Sequence, residues 1–442
     1  MSILSAEGFR PYRWGVLLVL LGLFAVNDVV IGVGQLIAPH AGTVDFRVYF
    51  AAAQALEHGR PLYASPPPCC FNVAAMRGYT YPPLFAFLLI PLTALPIDDA
   101  GRVWLVINYA SLIALLVIGA RIARPRLSLE TIGWLVLMML ASASIGAAMY
   151  GIQVDPLIVL LEAVFAWSIV TDRRLVLGGV ALALAACIKV SPLLIAPAIL
   201  LLPPRRAIQA FAGLAAGLAA GTLTMLVISP QAVAYVTHVL PSFSGGVVSP
   251  WNRSLPGVVL RMLRSQGVHP GSGLGTVFLL VEIAALATTW FMCSRVPGAS
   301  GRVLTISGLL AVVPIFQGVT WDHHLTVEIL VLVLLAPLLR AGSLAWMLAV
   351  GGVLLTGVNQ QIIDASLRSH GLEPPHGIAQ LSLFGAGSSI DLIGMLATLA
   401  AVLLLARLQT RAAYNPAATT SARRRTPSRR AVPLTSAELA PT

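Results

Sequence analysis

Apolar stretches near twenty residues alternate with short polar breaks along most of the 442-residue chain. A helix needs about 20 apolar residues to cross some 30 Å of hydrocarbon. The pattern predicts ten full crossings: Trp14 to Ile37, Val103 to Ala120, Thr131 to Met149, Val154 to Val170, Ala207 to Ile228, Leu274 to Cys293, Val303 to Val319, Leu325 to Leu339, Ser343 to Val358 and Ile390 to Ala406. Two segments depart from it. Asp45 to Tyr63 carries Phe46, Tyr49, Phe50, Ala53 and Leu56 at helical spacing beside Arg47, Gln54 and Glu57. That is an amphipathic helix too polar to span, expected on the outer membrane surface. Tyr81 to Pro96 has only 16 residues and is broken by Pro82, Pro83 and Pro91, so it reads as interfacial or re-entrant.

Arginines orient these spans, because short cytoplasmic loops accumulate positive charge. Arg10 and Arg13 place the N-terminus inside, and the alternation brings Arg121, Arg124, Arg126 and Asp172-Arg173-Arg174 back to that side. Leu175 to Leu202 is the exception. Its 28 residues are too few for two spans, yet Arg173-Arg174 and Arg205-Arg206 flank it. As one span it would send twelve later arginines outside and only four inside. It is therefore expected to be a hairpin of two short helices turning at Lys189-Val190-Ser191-Pro192. Broken helices at that depth survive only where they pack in protein or line a cavity. External stretches then cover Ser229 to Gly273 and Asn359 to Ser388, and both termini are cytoplasmic.

Composition excludes a soluble reading. Hydrophobic residues make up 57% of the chain, charged residues 10%, and mean hydropathy is +0.87, whereas a soluble domain carries roughly 25% charged residues. The fold class is an all-α polytopic membrane protein. The net charge of +11 lies in arginines between apolar segments or in the last residues, so it reports orientation and not a nucleic-acid partner. Residues 1–406 form the membrane domain, with external juxtamembrane elements over 38–102. The tail 407–442, rich in Arg, Pro, Ser, Thr and Ala, is expected to be disordered, its basic clusters available to lipid headgroups. Cys187 and Cys293 sit in apolar runs as core residues. Cys69 and Cys70 are adjacent in an external stretch, and no cysteine spacing matches a zinc site.

On this topology the unusual polar residues gather on one side. Asp45 follows the first span, Gln153 and Asp155 mark an external corner, and Lys189, the only lysine in the chain, sits at the hairpin tip. Asn252-Arg253-Ser254 lies in the long external stretch, and Trp321-Asp322-His323-His324 marks another corner. Asp28, Glu162, Glu282 and Glu328 are exceptions within proposed spans and receive no role. A lysine at membrane depth is costly and marks a functional position. The two histidines are not expected to share a metal, since neighbouring side chains on a helix point about 100° apart. No nucleotide-binding glycine motif, DxD pair or nucleophile triad is present, so no metal or cofactor is expected. One external base, several cations and a lipid-exposed cleft suit sugar transfer from a lipid-linked phosphate. A carboxylate such as Asp45 takes the acceptor proton. Lys189, Arg253 or a protonated His323 or His324 stabilises the departing phosphate.

The same residues carry a resemblance. D-x-x-V-Y at Asp45–Tyr49, G-x-x-L-Y at Gly59–Tyr63, Y-x-Y-P-P-L at Tyr79–Leu84 and G-x-Q-x-D-P around Gln153 come in order along the chain. I-K-V-S-P around Lys189, N-R-S-L at Asn252–Leu255 and W-D-H-H at Trp321–His324 complete the series. Together they resemble glycosyltransferase family 87 of the glycosyltransferase-C superfamily, polyprenyl-phosphate-mannose-dependent α-1,2-mannosyltransferases. The resemblance implies an actinobacterial plasma-membrane enzyme whose active site faces outside. It implies an inverting transfer of mannose from polyprenyl-phosphate mannose to a phosphatidylinositol mannoside or lipomannan type of acceptor. Asp45 maps onto the general base, and His323 and His324 onto the histidines beside the catalytic centre. Lys189, Asn252 and Arg253 are read by their charge and polarity as donor-phosphate ligands, and Tyr49, Tyr81, Gln153, Asp155, Trp321 and Asp322 as cleft residues. One departure is visible: Ile152 is inserted between Gly151 and Gln153. Rival readings are another polyprenyl-phosphate sugar such as arabinofuranose, and a transporter or lipid flippase, which the four acids within spans would suit. A non-catalytic membrane subunit is a third.

Overall fold

The computed structural model describes residues 45–63, 78–123, 128–243, 246–249, 251–271, 273–356 and 386–414, with short pieces of the first apolar run. The basic N-terminus, most of the first span, Cys69 and Cys70, the second external stretch and the chain beyond 414 lie outside the described residues, as does Asp28. Among the described residues the protein is all helical. Helices α1 (Phe46–Glu57) and α2 (Pro83–Leu89) come first, α2 running on into a 3₁₀ turn at Ile90–Ala94. They are followed by α3 (Ile97–Ala123), α4 (Leu129–Leu140), α5 (Ala143–Tyr150), α6 (Asp155–Thr171), α7 (Leu175–Ile188) and a 3₁₀ limb at Ser191–Leu201. Then come α8 (Pro204–Ile228), an irregular helical stretch at Ala232–Phe243 and α9 (Leu255–Ser265). The chain closes with α10 (Gly273–Ser294), α11 (Gly298–Phe316), α12 (Thr326–Leu335), α13 (Leu344–Leu355) and α14 (Ala386–Tyr414).

Five of these helices are long and apolar enough to cross a membrane, or six if the pair α4 and α5 is one span. The expected ten crossings are thus not reached by length. Of the four that fall short, the first lies largely outside the described residues; α6 has 17 residues, α12 has 10 and α13 has 12. For α12 the reason is position. All ten of its residues are buried, because it packs on α3, α6 and α11 at the centre of the bundle. Helices α8 and α10 do the opposite and turn most of their apolar surface outward, with only 11% and 17% of their apolar windows buried. The expected straight span Thr131 to Met149 is bent by 53° between α4 and α5. Ser142 leaves helical geometry there, with ψ at 116°.

The hairpin is present. Helix α7 stops at Ile188, Lys189 is extended (φ −148°, ψ 121°), and the return limb is 3₁₀ because Pro192 and Pro197 cannot donate helical hydrogen bonds. Arg206 lies 3.8 Å from Asp172, which brings the two flanking basic clusters together. Helices α7 and α8 approach closely because Gly179 faces the α8 backbone and Gly213 faces Val176, where a Cβ would clash.

Two boundary expectations change. The amphipathic helix ends at Glu57, with Gly59 in the left-handed region (φ +66°). Its apolar face is buried, with Phe46 and Ala53 fully inside the main core, while Arg47, Ala51 and Glu57 on the other face are exposed. Its aromatic face packs on α2 and on the Ile90–Ala94 turn. At the other end α14 stays helical through Tyr414, so the expected tail gives up Arg407 to Tyr414 to the last helix.

Candidate active site

Asp45 stands at the start of α1 with its side chain exposed. Its carboxylate Oδ2 accepts a hydrogen bond from Gln153 Nε2, and Gln153 Oε1 accepts one from the Tyr49 hydroxyl. Gln153 is itself anchored from below. Its carbonyl accepts from Trp104 Nε1 at 3.0 Å and from Asn108 Nδ2 at 2.8 Å. Ile152, the inserted residue, adopts a left-handed backbone (φ 51°), rare for a β-branched side chain. Its side chain is 3% exposed, so the core holds the turn that presents Gln153. Tyr49 also meets Tyr81, with hydroxyls 3.3 Å apart and rings edge to face. Burial first, then the neighbouring phenol, pushes the Tyr49 hydroxyl well above its ordinary value; Tyr81 is raised by burial and by the Asp155 carboxylate. Both are therefore neutral phenols.

The second cluster centres on Asp155, at the first turn of α6 and only 4% exposed. Lys189 Nζ lies 2.6 Å from its Oδ1, and His323 Nε2 lies 3.8 Å from its Oδ2. The hairpin break explains the first contact: an extended Lys189 leaves the helix and turns its ammonium toward α6. A 3₁₀ turn at Asp322–Leu325 explains the second, and it sets the His323 and His324 rings edge to face at 4.6 Å. His324 Nδ1 accepts from the Trp321 amide at 3.3 Å. Asp155, Glu162, Lys189, Gln317 and His324 line one small pocket beside apolar residues of α6, α11 and the 3₁₀ limb. Burial holds both imidazoles below their ordinary value. Asp155 opposes this at His323, while Lys189 adds to it at His324. The expected protonated histidine is thus not the resting state: both rings are neutral hydrogen-bonding groups at neutral pH, and the positive charge belongs to Lys189. Asp45 and Asp155 both act electrostatically on Tyr49, Tyr81 and His323, so the two clusters share one site.

Asn252 and Arg253 are placed differently from the phosphate-binding role read from the sequence. Both are fully buried. Asn252 Nδ2 donates to the carbonyls of Val247 at 2.9 Å and Gly318 at 3.0 Å, and its Oδ1 accepts from Ser254 and from the Thr320 amide. Arg253 pairs with Asp322 through Nε and with Asp391 at 3.1 Å through Nη1. These contacts tie the 247–254 loop to the Trp321–His324 corner.

Among the described residues, Asp155, His323 and His324 could hold a metal, each offering an atom within 4.8 Å of the others. The same Asp155 carboxylate carries the Lys189 ammonium on its Oδ1. Sequence reading missed Trp104, Asn108 and Asp391. A W-x-x-x-N spacing puts Trp104 and Asn108 on one helical face inside an apolar run, a signal that was available. Asp391, a single acid near the start of the last apolar run, was equally visible.

A multi-pass helical bundle with a lysine, carboxylates and histidines gathered at one end is the frame of a membrane-embedded enzyme. The sequence pattern described as "Glycosyltransferase family 87" matches residues 79–316, more than half of the chain, and the chain belongs to that family. It is a multi-pass membrane glycosyltransferase. It is also 27% identical over 309 residues to the polyprenol-phosphate-mannose-dependent alpha-(1-2)-phosphatidylinositol pentamannoside mannosyltransferase of Mycobacterium tuberculosis (strain CDC 1551 / Oshkosh). That alignment covers 65% of this chain and 65% of the relative, so the chain spans just under two thirds of that protein's length. The family match holds Tyr81, Gln153, Asp155, Lys189, Asn252 and Arg253; Asp45 precedes it and the Trp321–His324 corner follows it.

Proposed function

We propose that this protein transfers mannose from polyprenyl-phosphate mannose to a mannosylated lipid of the phosphatidylinositol mannoside or lipomannan type. The linkage formed is α-1,2, at the outer face of an actinobacterial plasma membrane. The observation that carries the reading is the pairing of an exposed, oriented carboxylate with a half-buried lysine beside two neutral imidazoles. Asp45, held by Gln153, accepts the proton of the acceptor hydroxyl as that oxygen attacks the anomeric carbon. The bond from that carbon to the phosphate oxygen breaks, its electron pair leaves with the polyprenyl phosphate, and Lys189 offsets the charge that develops. His323 and His324 hydrogen-bond to the same phosphate as neutral groups. A β-linked donor and an α-linked product imply inversion by a single displacement, for which no covalent enzyme intermediate is required.

The prenyl chain has a place close by. An open apolar groove between the 3₁₀ limb and α10 is lined by Leu193, Leu194, Pro197, Leu200, Leu286 and Trp290, and the limb starts two residues after Lys189. We read the first apolar run, α6, α12 and α13 as the crossings that complete ten. The arginine distribution supports that count and puts both termini in the cytoplasm.

The test is transfer by purified protein from synthetic polyprenyl-phosphate mannose to a mannosylated phosphatidylinositol, wild type beside Asp45→Asn. Asp45→Asn should lose about 10²- to 10⁴-fold in turnover while keeping its melting temperature. Full activity in that variant removes Asp45 from the chemistry. Wild-type transfer of arabinofuranose in place of mannose would overturn the donor, and vesicle uptake without a covalent product would overturn the enzyme.

A further inference from the structure

The proposed mechanism leaves Asp391 unused, yet its placement needs a cause. It is 2% exposed near the start of α14, inside an apolar segment long enough to span. Carboxylates are rarely kept in such surroundings without a partner and a purpose. The partner is Arg253 at 3.1 Å, and Arg253 reaches in turn to Asp322, the residue before His323. The backbone follows the same route: the Arg253 amide donates to the Thr320 carbonyl at 2.7 Å. Beneath the ion pairs, Leu325 packs with Leu392 and Met395 in a small apolar cluster separate from the main core. The last helix therefore grips the histidine corner by one charged chain and one apolar contact.

We propose that Asp391 is a positioning residue for transfer: through Arg253 and Asp322 it fixes His323 and His324 at their distance from Asp155. The inference rests on the functional reading above for its kinetic part. Asp391 touches neither the pocket nor the groove, so it acts on the catalytic step and not on donor affinity. A displacement of about 1 Å at a catalytic group can cost on the order of a hundredfold in rate.

The experiment compares wild type, Asp391→Asn, Asp391→Glu, Asp322→Asn and the Asp391→Asn/Asp322→Asn pair in the mannosyl-transfer assay. Asp391→Asn should lower kcat about tenfold or more with donor KM within about twofold, and the double variant should be no slower than the slower single one. Asp391→Glu, which keeps the charge, should recover part of the loss. Diethyl pyrocarbonate labelling read by mass spectrometry supplies a measure independent of turnover: His323 and His324 should label faster in Asp391→Asn than in wild type. Wild-type kcat in Asp391→Asn, a loss confined to KM, multiplicative losses in the double variant or unchanged labelling would each overturn the proposal. Should Asp391→Asn fail to fold, Asp391→Glu decides alone, with a lowered kcat and faster labelling expected and wild-type behaviour overturning it. If the wild type transfers no mannose, the functional reading fails while the labelling still tests the clamp.

Discussion

At Asp155 a single carboxylate meets a lysine on one oxygen and an imidazole near the other, and that arrangement sets the resting charge of the site. His323 is neutral because burial penalises the imidazolium more than Asp155 favours it, and at His324 burial and the Lys189 ammonium act in the same direction. Stability follows with a definite sign. An unfolded histidine takes up its proton near pH 6.5, whereas the folded rings hold it off to lower pH. In that window the unfolded chain binds more protons, so folding stability falls as the pH drops below about 6.5. Melting curves from about pH 7.5 to 5 should descend in wild type and descend less steeply in a His323→Gln/His324→Gln variant; equal slopes would contradict the neutral pair. At this scale the sequence was informative where polarity itself was the anomaly. Lys189 and Asp155 stood out from apolar runs and met in space. Asn252 and Arg253 stood out equally, but their contacts with Val247, Gly318, Asp322 and Asp391 were not legible, because a polar side chain does not announce its partner. The histidines' charge was also illegible, since it depends on burial that only the assembled corner creates.

Among the elements, the hairpin was legible because charge bookkeeping over the whole chain forbade a single span. The 3₁₀ character of its return limb lay in Pro192 and Pro197. The entry to α7 was not foreseen. Asp172 and Arg174 both adopt left-handed backbones, at φ 56° and 49°, to reverse the chain between α6 and α7 in a turn with no glycine. Arg174 is exposed, so its side chain gives no burial in return for the conformation, which costs about 1 kcal/mol or more. Arg174→Gly removes that strain and a positive charge from a helix N-terminus. It should stabilise the protein by about 0.5–1 kcal/mol, read as a higher melting temperature in detergent. A lower melting temperature would show that Arg174 makes a stabilising contact instead. The amphipathic helix is the reverse case. Its periodicity was read correctly, but the pattern alone does not say what the apolar face meets, and here that face packs on α2 and the Ile90–Ala94 turn.

For the whole molecule, the order of the long apolar helices followed from hydropathy, whereas the break between α4 and α5, the helix at Leu255–Ser265 and the layering did not. A run such as α12 is as apolar as its neighbours whether it meets lipid or protein. Its burial comes from α3, α6 and α11 around it, and no single-sequence signal reports that. The topology itself is checkable. A cysteine placed near Ser191 should react with an impermeant maleimide added outside intact cells, and cysteines replacing Arg174 or Arg206 should react only after the cells are opened. The 3.8 Å approach of Arg206 to Asp172 requires those two positions to share a side. Labelling them from opposite faces would dismantle the hairpin and, with it, the proposal that the site faces outside.

The contact between Arg253 and Asp391 has a consequence in time as well as in space. A ribosome delivers residue 253 long before residue 391, and the membrane machinery releases helices in that order. Until α14 arrives, the buried guanidinium lacks its second carboxylate, and Leu325 lies bare of Leu392 and Met395. The corner that carries the histidines can then be threaded but not set. Chains cut short ahead of α14 would lack both the carboxylate and the apolar contact that α14 brings to this corner.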